Sequence, residues 1–211
     1  MNWKKRIVSL ALAAVIGLST FLASGVDAEA AGAIAKGIDV SKYQGAINWS
    51  AVAAEGYSFA FIKVGSAKSG LDPYFAANMV GANAAGLKTG VYLYSYATTV
   101  EAAMAEAQFT LAAIAPFTVS MPVVFDLEDA VHKTMTPEQL QALTVVFCSI
   151  IQSAGYQPMV YSSKNWLTQR VGPIPFDVWV AQYAEACEYP NPAFWQFSNS
   201  GTVSGIDGRV D

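Results

Sequence analysis

Val123-Val124-Phe125-Asp126-Leu127-Glu128 is a short apolar run that closes on two acids two residues apart. Its length, its leading valines and Pro122 just before it predict a buried strand over residues 122–128. Alternate side chains of a strand share a face, so Asp126 and Glu128 project together while Phe125 and Leu127 face the opposite layer. An acidic pair in a loop is ordinarily a solvated turn. A pair that ends an apolar strand is better read as chemistry.

Outward from this run, strands and helices alternate. Strands are expected at 37–41, 59–64 and 89–96, separated by a helical turn near 50–55 and helices over 73–85 and 100–114. After the acidic pair comes a long helix over 137–153. Thr136 is placed to cap it, Pro137 takes its first position, Glu138 sits in its first turn, and Gly155 ends it. This rhythm implies a mostly parallel sheet under helices, an α/β fold. Further strands read at 159–163, 178–183, 194–198 and 208–211, but the last links are short and Pro-rich. Eight strands suggest a closed barrel with an incomplete helical jacket on its C-terminal side. No internal repeat or low-complexity linker interrupts it.

In such a barrel, chemistry gathers at the C-terminal ends of the strands. Asp39, Asp126, Glu128 and Asp211 all fall near predicted strand ends. Two neighbouring carboxylates cannot both ionise freely, so one keeps a proton near neutral pH beside an ionised partner. Glycosidic cleavage needs that combination: an acid for the leaving oxygen and a negative group for the positive sugar centre. Asp39 alone reads equally well as a turn or helix cap. Aromatic residues fit a sugar substrate, since flat rings with polar tips stack on C–H faces. Tyr92, Tyr94 and Tyr96 share one expected face, as do Trp179 and Tyr183, and Trp195 and Phe197. Tyr94, Tyr96, Tyr161, Trp179, Tyr183 and Trp195 are the candidate substrate contacts, although several of these rings must be barrel core.

The N-terminus reads as a separate segment. Trp3-Lys4-Lys5-Arg6 is a positive start, an apolar run covers residues 7–22, and small residues follow with Val26-Asp27-Ala28 as a cleavage signal. That order is a secretory signal peptide over residues 1–28; the alternative is a membrane anchor. Residues 29–35 form a short linker and 36–211 the catalytic barrel. Without the leader the chain has 9 basic and 15 acidic residues, a net charge of −6. No basic stripe remains for nucleic acid. Cys148 lies among Leu143, Val146, Phe147, Ile150 and Ile151 and reads as a buried free thiol, while pairing with Cys187 is not legible from sequence. Two cysteines and one histidine make a zinc site very improbable, and there is no Gly-x-Ser-x-Gly elbow to support a serine triad. His132 is expected to be an exposed loop residue near the site.

Several segments carry a family resemblance. Lys36-Gly37-Ile38-Asp39-Val40-Ser41-Lys42-Tyr43-Gln44-Gly45, followed by Ile47-Asn48-Trp49, resembles the opening of the glycoside hydrolase family 25 lysozymes, the Chalaropsis type. In the same order come Asp72-Pro73-Tyr74-Phe75 with Asn78, Gly86-Leu87-Lys88-Thr89-Gly90-Val91-Tyr92, Asp126-Leu127-Glu128, Trp179-Val180-Ala181-Gln182-Tyr183, Trp195-Gln196-Phe197-Ser198 and the terminal Gly205-Ile206-Asp207-Gly208-Arg209-Val210-Asp211. The resemblance implies an irregular TIM-like (β/α) barrel, about five β/α units followed by three strands with few helices. It also implies an N,O-diacetylmuramidase that hydrolyses the β-1,4 bond between N-acetylmuramic acid and N-acetylglucosamine of bacterial peptidoglycan. Glu128 then matches the general acid, and Asp126 the nucleophile or the group that steadies the substrate's acetamido arm. Asp39 and Asp211 match acids lining the cleft. Two features depart from the pattern: the chain reaches its end at Asp211, where members commonly continue, and Lys63 stands where members often carry arginine.

The expectation is a secreted, cell-wall-associated monomer that needs no cofactor or metal and has no stable membrane insertion after processing. Its partner is peptidoglycan. Two other readings stay open: a chitinase-like β-N-acetylglucosaminidase, and a wall-binding barrel without catalysis. Covalent and acetamido-assisted chemistry are equally compatible with the sequence.

Overall fold

The computed structural model describes residues 35–211, so the expected leader and all but the last residue of the linker lie outside the described residues. Eight strands form one sheet: β1 (Gly37–Val40), β2 (Phe59–Ser66), β3 (Gly70–Leu71), β4 (Lys88–Tyr94), β5 (Val123–Asp126), β6 (Pro158–Ser163), β7 (Asp177–Ala181) and β8 (Phe194–Gln196). Seven run parallel in the order β1-β2-β4-β5-β6-β7-β8, and β3 folds back antiparallel on β2. The helices are α1 (Trp49–Ala54), α2 (Phe75–Ala84), α3 (Val100–Ile114), α4 (Pro137–Ser153) and α5 (Lys164–Trp166), the last running into a π turn at Leu167–Val171. Helical structure thus follows β1, the β2–β3 hairpin, β4, β5 and β6, giving five β/α units and a sparsely covered remainder. The fold is the irregular, TIM-like α/β arrangement expected.

Strand alternation divides the residues between two cores. Outward positions Ile38, Ile62, Val91, Leu93, Phe125, Leu127 and Val160 are buried under the helices, where Phe125 stacks on Phe147 of α4 with ring centroids 4.5 Å apart. Inward positions Phe61, Val124, Met159, Tyr161, Trp179 and Ala181 fill the barrel, with Phe61 stacked on Trp179 at 4.6 Å. This aromatic plug needs space from its neighbours: a Cβ on Gly90 would stand 2.4 Å from the Phe61 ring. Beside this plug other inward positions are polar, at Asp39, Lys63, Tyr94, Asp126 and Gln196. A dry floor under a polar rim positions the site.

The sheet curls into an incomplete barrel rather than the closed one expected. Among the described residues no ladder joins β8 to β1, and 208–211 is not a strand of the sheet. Its pairing is a single antiparallel bridge between Gly201 and Val210. Gly205 and Gly208 both adopt positive φ, which breaks an extended run there. The segment closes the seam in another way. Val203, Ile206 and Val210 bury into the outer core, Asn48 N–H donates to Gly205 O at 2.9 Å, and Asp39 N–H donates to Asp211 O at 3.1 Å.

Candidate active site

A cleft of about 350 Å³ opens over the polar rim, and all four expected acids line it: Asp39, Asp126, Glu128 and Asp211. Asp126 is the final residue of β5, buried and inward. The backbone stays tied on both sides beyond the strand's end. Ser95 N–H donates to Asp126 O at 3.0 Å, Leu127 N–H to Tyr161 O at 2.9 Å, and the Ser162 hydroxyl to Leu127 O at 2.6 Å. This holds Leu127 in the outer core and delivers Glu128 to the mouth of the cleft, exposed, on the same side as Asp126. The expected alternation holds, although the strand ends two residues before Glu128.

Burial pushes the Asp126 carboxyl well above the ordinary carboxylate range, and the charge of Glu128 pushes it further. Its Oδ1 is buried with no hydrogen-bond partner among the described residues, so only the charge of Lys63 opposes the rise. Glu128 is also raised, first by the protein around it; Lys63 opposes that rise, and Asp211 and Asp129 add to it. Asp39 rises to about 7, mainly through burial, while the hydrogen bond from Gln196 holds it down. Asp211, exposed at the rim, is raised by partial burial and eased by Arg209. Acids crowded at one rim, with a single lysine among them, favour retained protons at neutral pH.

A relay of polar side chains orients Asp39. Gln196 Nε2 donates to Asp39 Oδ2 at 2.9 Å, and the Tyr161 and Tyr183 hydroxyls donate to Gln196 Oε1 at 2.8 and 3.1 Å. Tyr94 donates to Asp129 Oδ2 at 3.1 Å, and its ring lies 5.2 Å from that of Tyr96. Of the six expected aromatic contacts, Tyr94, Tyr96, Tyr161 and Trp179 line the cleft, the last two as floor. Tyr183 is half exposed, and its hydroxyl joins the site at Gln196.

Trp195 does not line the cleft. The phase of β8 turns Phe194 and Gln196 inward, so Trp195 packs outside against Leu167, Val178 and Val180, its Nε1–H donating to Gln182 O at 2.7 Å. His132 is likewise not an exposed loop residue. It is fully buried in a 3₁₀ turn (Ala130–Thr134), with Nε2 2.9 Å from Ala97 O, because that turn folds back under the end of β4. Cys148 is buried and free, its thiol pushed up to about 12 by burial; Cys187 is free as well.

Sequence reasoning missed Tyr43, Gln44 and Gln196 as cleft residues. It also missed Glu106 of α3, whose buried carboxylate accepts from the Ser95 hydroxyl at 2.7 Å and from Tyr96 N–H at 2.8 Å, fixing the chain just past β4. A signal existed for Glu106. It falls on the stripe Ala103, Ala107, Thr110 and Ile114, where an acid is out of place unless it has partners.

Comparisons with known proteins place the chain in a family. The family model for glycosyl hydrolases family 25 matches residues 38–206. Lysozyme M1 of Streptomyces globisporus is 29% identical over 196 residues, covering 83% of this chain and 66% of its own. Among solved structures, the modular autolysin LytC of Streptococcus pneumoniae superposes with a TM-score of 0.74 at 30% identity, covering 84% of this chain and 45% of its own. LytC has also been solved in complex with a synthetic peptidoglycan ligand, with a TM-score of 0.74 at 29% identity and the same coverage of both chains. A bacterial lysozyme from Streptomyces coelicolor gives 0.70 at 27%, covering 83% of this chain and 88% of its own. The chain therefore spans slightly under two thirds of Lysozyme M1 and less than half of LytC.

Proposed function

The chain belongs to glycosyl hydrolases family 25, and from that membership we propose that it is a muramidase, cutting the β-1,4 bond between N-acetylmuramic acid and N-acetylglucosamine in bacterial peptidoglycan. The observation that carries the reading is the pair Asp126 and Glu128, both raised in proton affinity and both lining one cleft. Glu128, at the mouth, donates a proton to the leaving glycosidic oxygen. Asp126, beneath it, acts as nucleophile or steadies the acetamido arm of the substrate.

The pair shares its protons as a unit. Burial raises the deeper Asp126, and no donor among the described residues reaches its Oδ1. An acetamido N–H brought against it supplies the donor its carboxylate lacks, lowering its affinity and leaving the proton to Glu128. Binding thereby arms the acid. Asp39 and Asp211 line the same cleft, and either one, when ionised, adds negative potential that favours a positively charged sugar centre. The relatives named lysozymes and the peptidoglycan ligand of LytC support this substrate class. The leader expected over residues 1–28 fits secretion to the cell wall, where the chain would act as a monomer, and none of these steps calls for a cofactor.

Glu128→Gln is expected to lower the release of reducing ends from purified wall by about 10²–10⁴-fold while melting behaviour stays near wild type. Wild-type turnover in that variant removes Glu128 as the acid. Mass spectrometry of the digest identifies the bond: a muramic acid at the new reducing end fits this reading, and N-acetylglucosamine there does not.

A further inference from the structure

A second hollow, about 260 Å³, adjoins the cleft and shares Tyr43, Lys63, Tyr94 and Tyr96 with it. Its charge has the opposite sign. The cleft gathers four acids and Lys63, whereas the hollow is lined by Lys42, Lys63 and one acid, Asp72. Asp72 is buried, and its two oxygens already accept from the backbone, Oδ2 from Lys42 N–H at 2.8 Å and Oδ1 from Tyr74 N–H at 2.9 Å. Three ammonium groups stand over the tyrosine rings that wall this region: Lys42 over Tyr43 at 5.4 Å, Lys63 over Tyr94 at 4.6 Å and Lys68 over Tyr96 at 4.6 Å. Lys42 and Lys68 are exposed. A ring beneath an ammonium steadies it and leaves N–H donors for an incoming acceptor. The hydroxyls of Ser66 and Ser69, 2.7 Å apart, add neutral hydrogen-bonding groups on the same wall. In a chain of net charge −4, this local concentration of positive charge beside an acidic cleft runs against the general trend.

We infer that the hollow receives the acidic peptide carried on the lactyl ether of muramic acid while the glycan lies in the cleft, so that peptide-bearing strands are preferred to peptide-stripped ones. The inference rests on the muramidase reading. The two spaces share one wall, so a sugar above Asp126 and Glu128 and a substituent among the lysines occupy a continuous surface. Peptide carboxylates reach Lys42 and Lys68 there. A stripped strand keeps only the lactyl carboxylate, close to the sugar ring and short of that reach.

The test compares wild type with Lys42→Met combined with Lys68→Met. On peptide-bearing strands KM is expected to rise roughly two- to tenfold, as for loss of two exposed ion pairs. On strands stripped by an amidase it should stay near wild type, and raising the salt should erase the wild-type preference. Equal KM changes on both substrates, or none on either, overturn the inference. A titration that needs no turnover decides it separately. Glu128→Gln protein, with and without the two lysine substitutions, is titrated with N-acetylmuramoyl dipeptide and with N-acetylmuramic acid. Tighter binding of the dipeptide that disappears with the lysines supports the hollow; equal binding of both sugars overturns it. If wild type cuts neither strand, the muramidase reading fails, and the titration still decides the hollow.

Discussion

Asp39 keeps its proton up to about pH 7 because burial outweighs the Gln196 hydrogen bond and the charge of Lys63. The ordinary value is 3.8, so between these limits the native chain binds more protons than the unfolded one. The sign follows: stability from this group is fully present below the ordinary value and is lost as pH rises through about 7. The shift corresponds to a limit of ~4 kcal/mol. Asp39→Asn keeps an acceptor for Gln196 Nε2 but carries no charge to bury. Thermal unfolding should therefore find the variant equal to wild type near pH 4 and more stable at pH 8, with activity reduced. A variant less stable at pH 8 would mean that the ionised carboxylate is favoured where it lies. At this scale Asp126 and Glu128 were legible because strand alternation is local. The burial of His132 and the outward turn of Trp195 were not, because each depends on what folds against it.

The element that braces the acidic strand from outside is α4, through Phe147 on Phe125. Its start is a capping box: Gln139 N–H donates to the Thr136 hydroxyl at 3.3 Å, and Thr136 N–H to Gln139 Oε1 at 2.8 Å. Thr136→Ala should cost about 1 kcal/mol, seen as a lower urea midpoint with KM unchanged, since the cap lies away from the cleft. A change in KM with no change in midpoint would contradict that separation. The bounds of α3 and α4 match the sequence expectation because caps, Pro137 and Gly155 act within one turn. The β2–β3 hairpin did not announce itself. It depends on Gly65 at φ 130, where a Cβ would stand 2.2 Å from Gly70 O, an approach that only folded coordinates reveal.

For the whole molecule, the weak place is the seam between β8 and β1, closed by the terminal segment rather than by a ladder. Ile206, Val203 and Val210 hold that segment in the outer core. Ile206→Ala should cost ~2 kcal/mol, the low end for a buried aliphatic truncation because the site lies near the surface. It should also lower activity, since Asp211 O anchors Asp39 N–H across the seam. Urea unfolding and wall-digestion rates measured on one preparation check both effects. Full activity in a clearly destabilised variant would show that the seam and the cleft are independent.

The sequence by itself determined the β/α rhythm, the bounds of α3 and α4 and the convergence of two acids near the end of one strand, because periodicity and capping act over a few residues. Only the tertiary structure decided which distant groups meet. Asp39 and Gln196, 157 positions apart, share a hydrogen bond, and Lys63 comes to sit among the acids. The terminal segment closes an otherwise open sheet. Those choices depend on how far the strands curl and on the phase in which each enters the barrel, and both are set by packing against the rest of the fold.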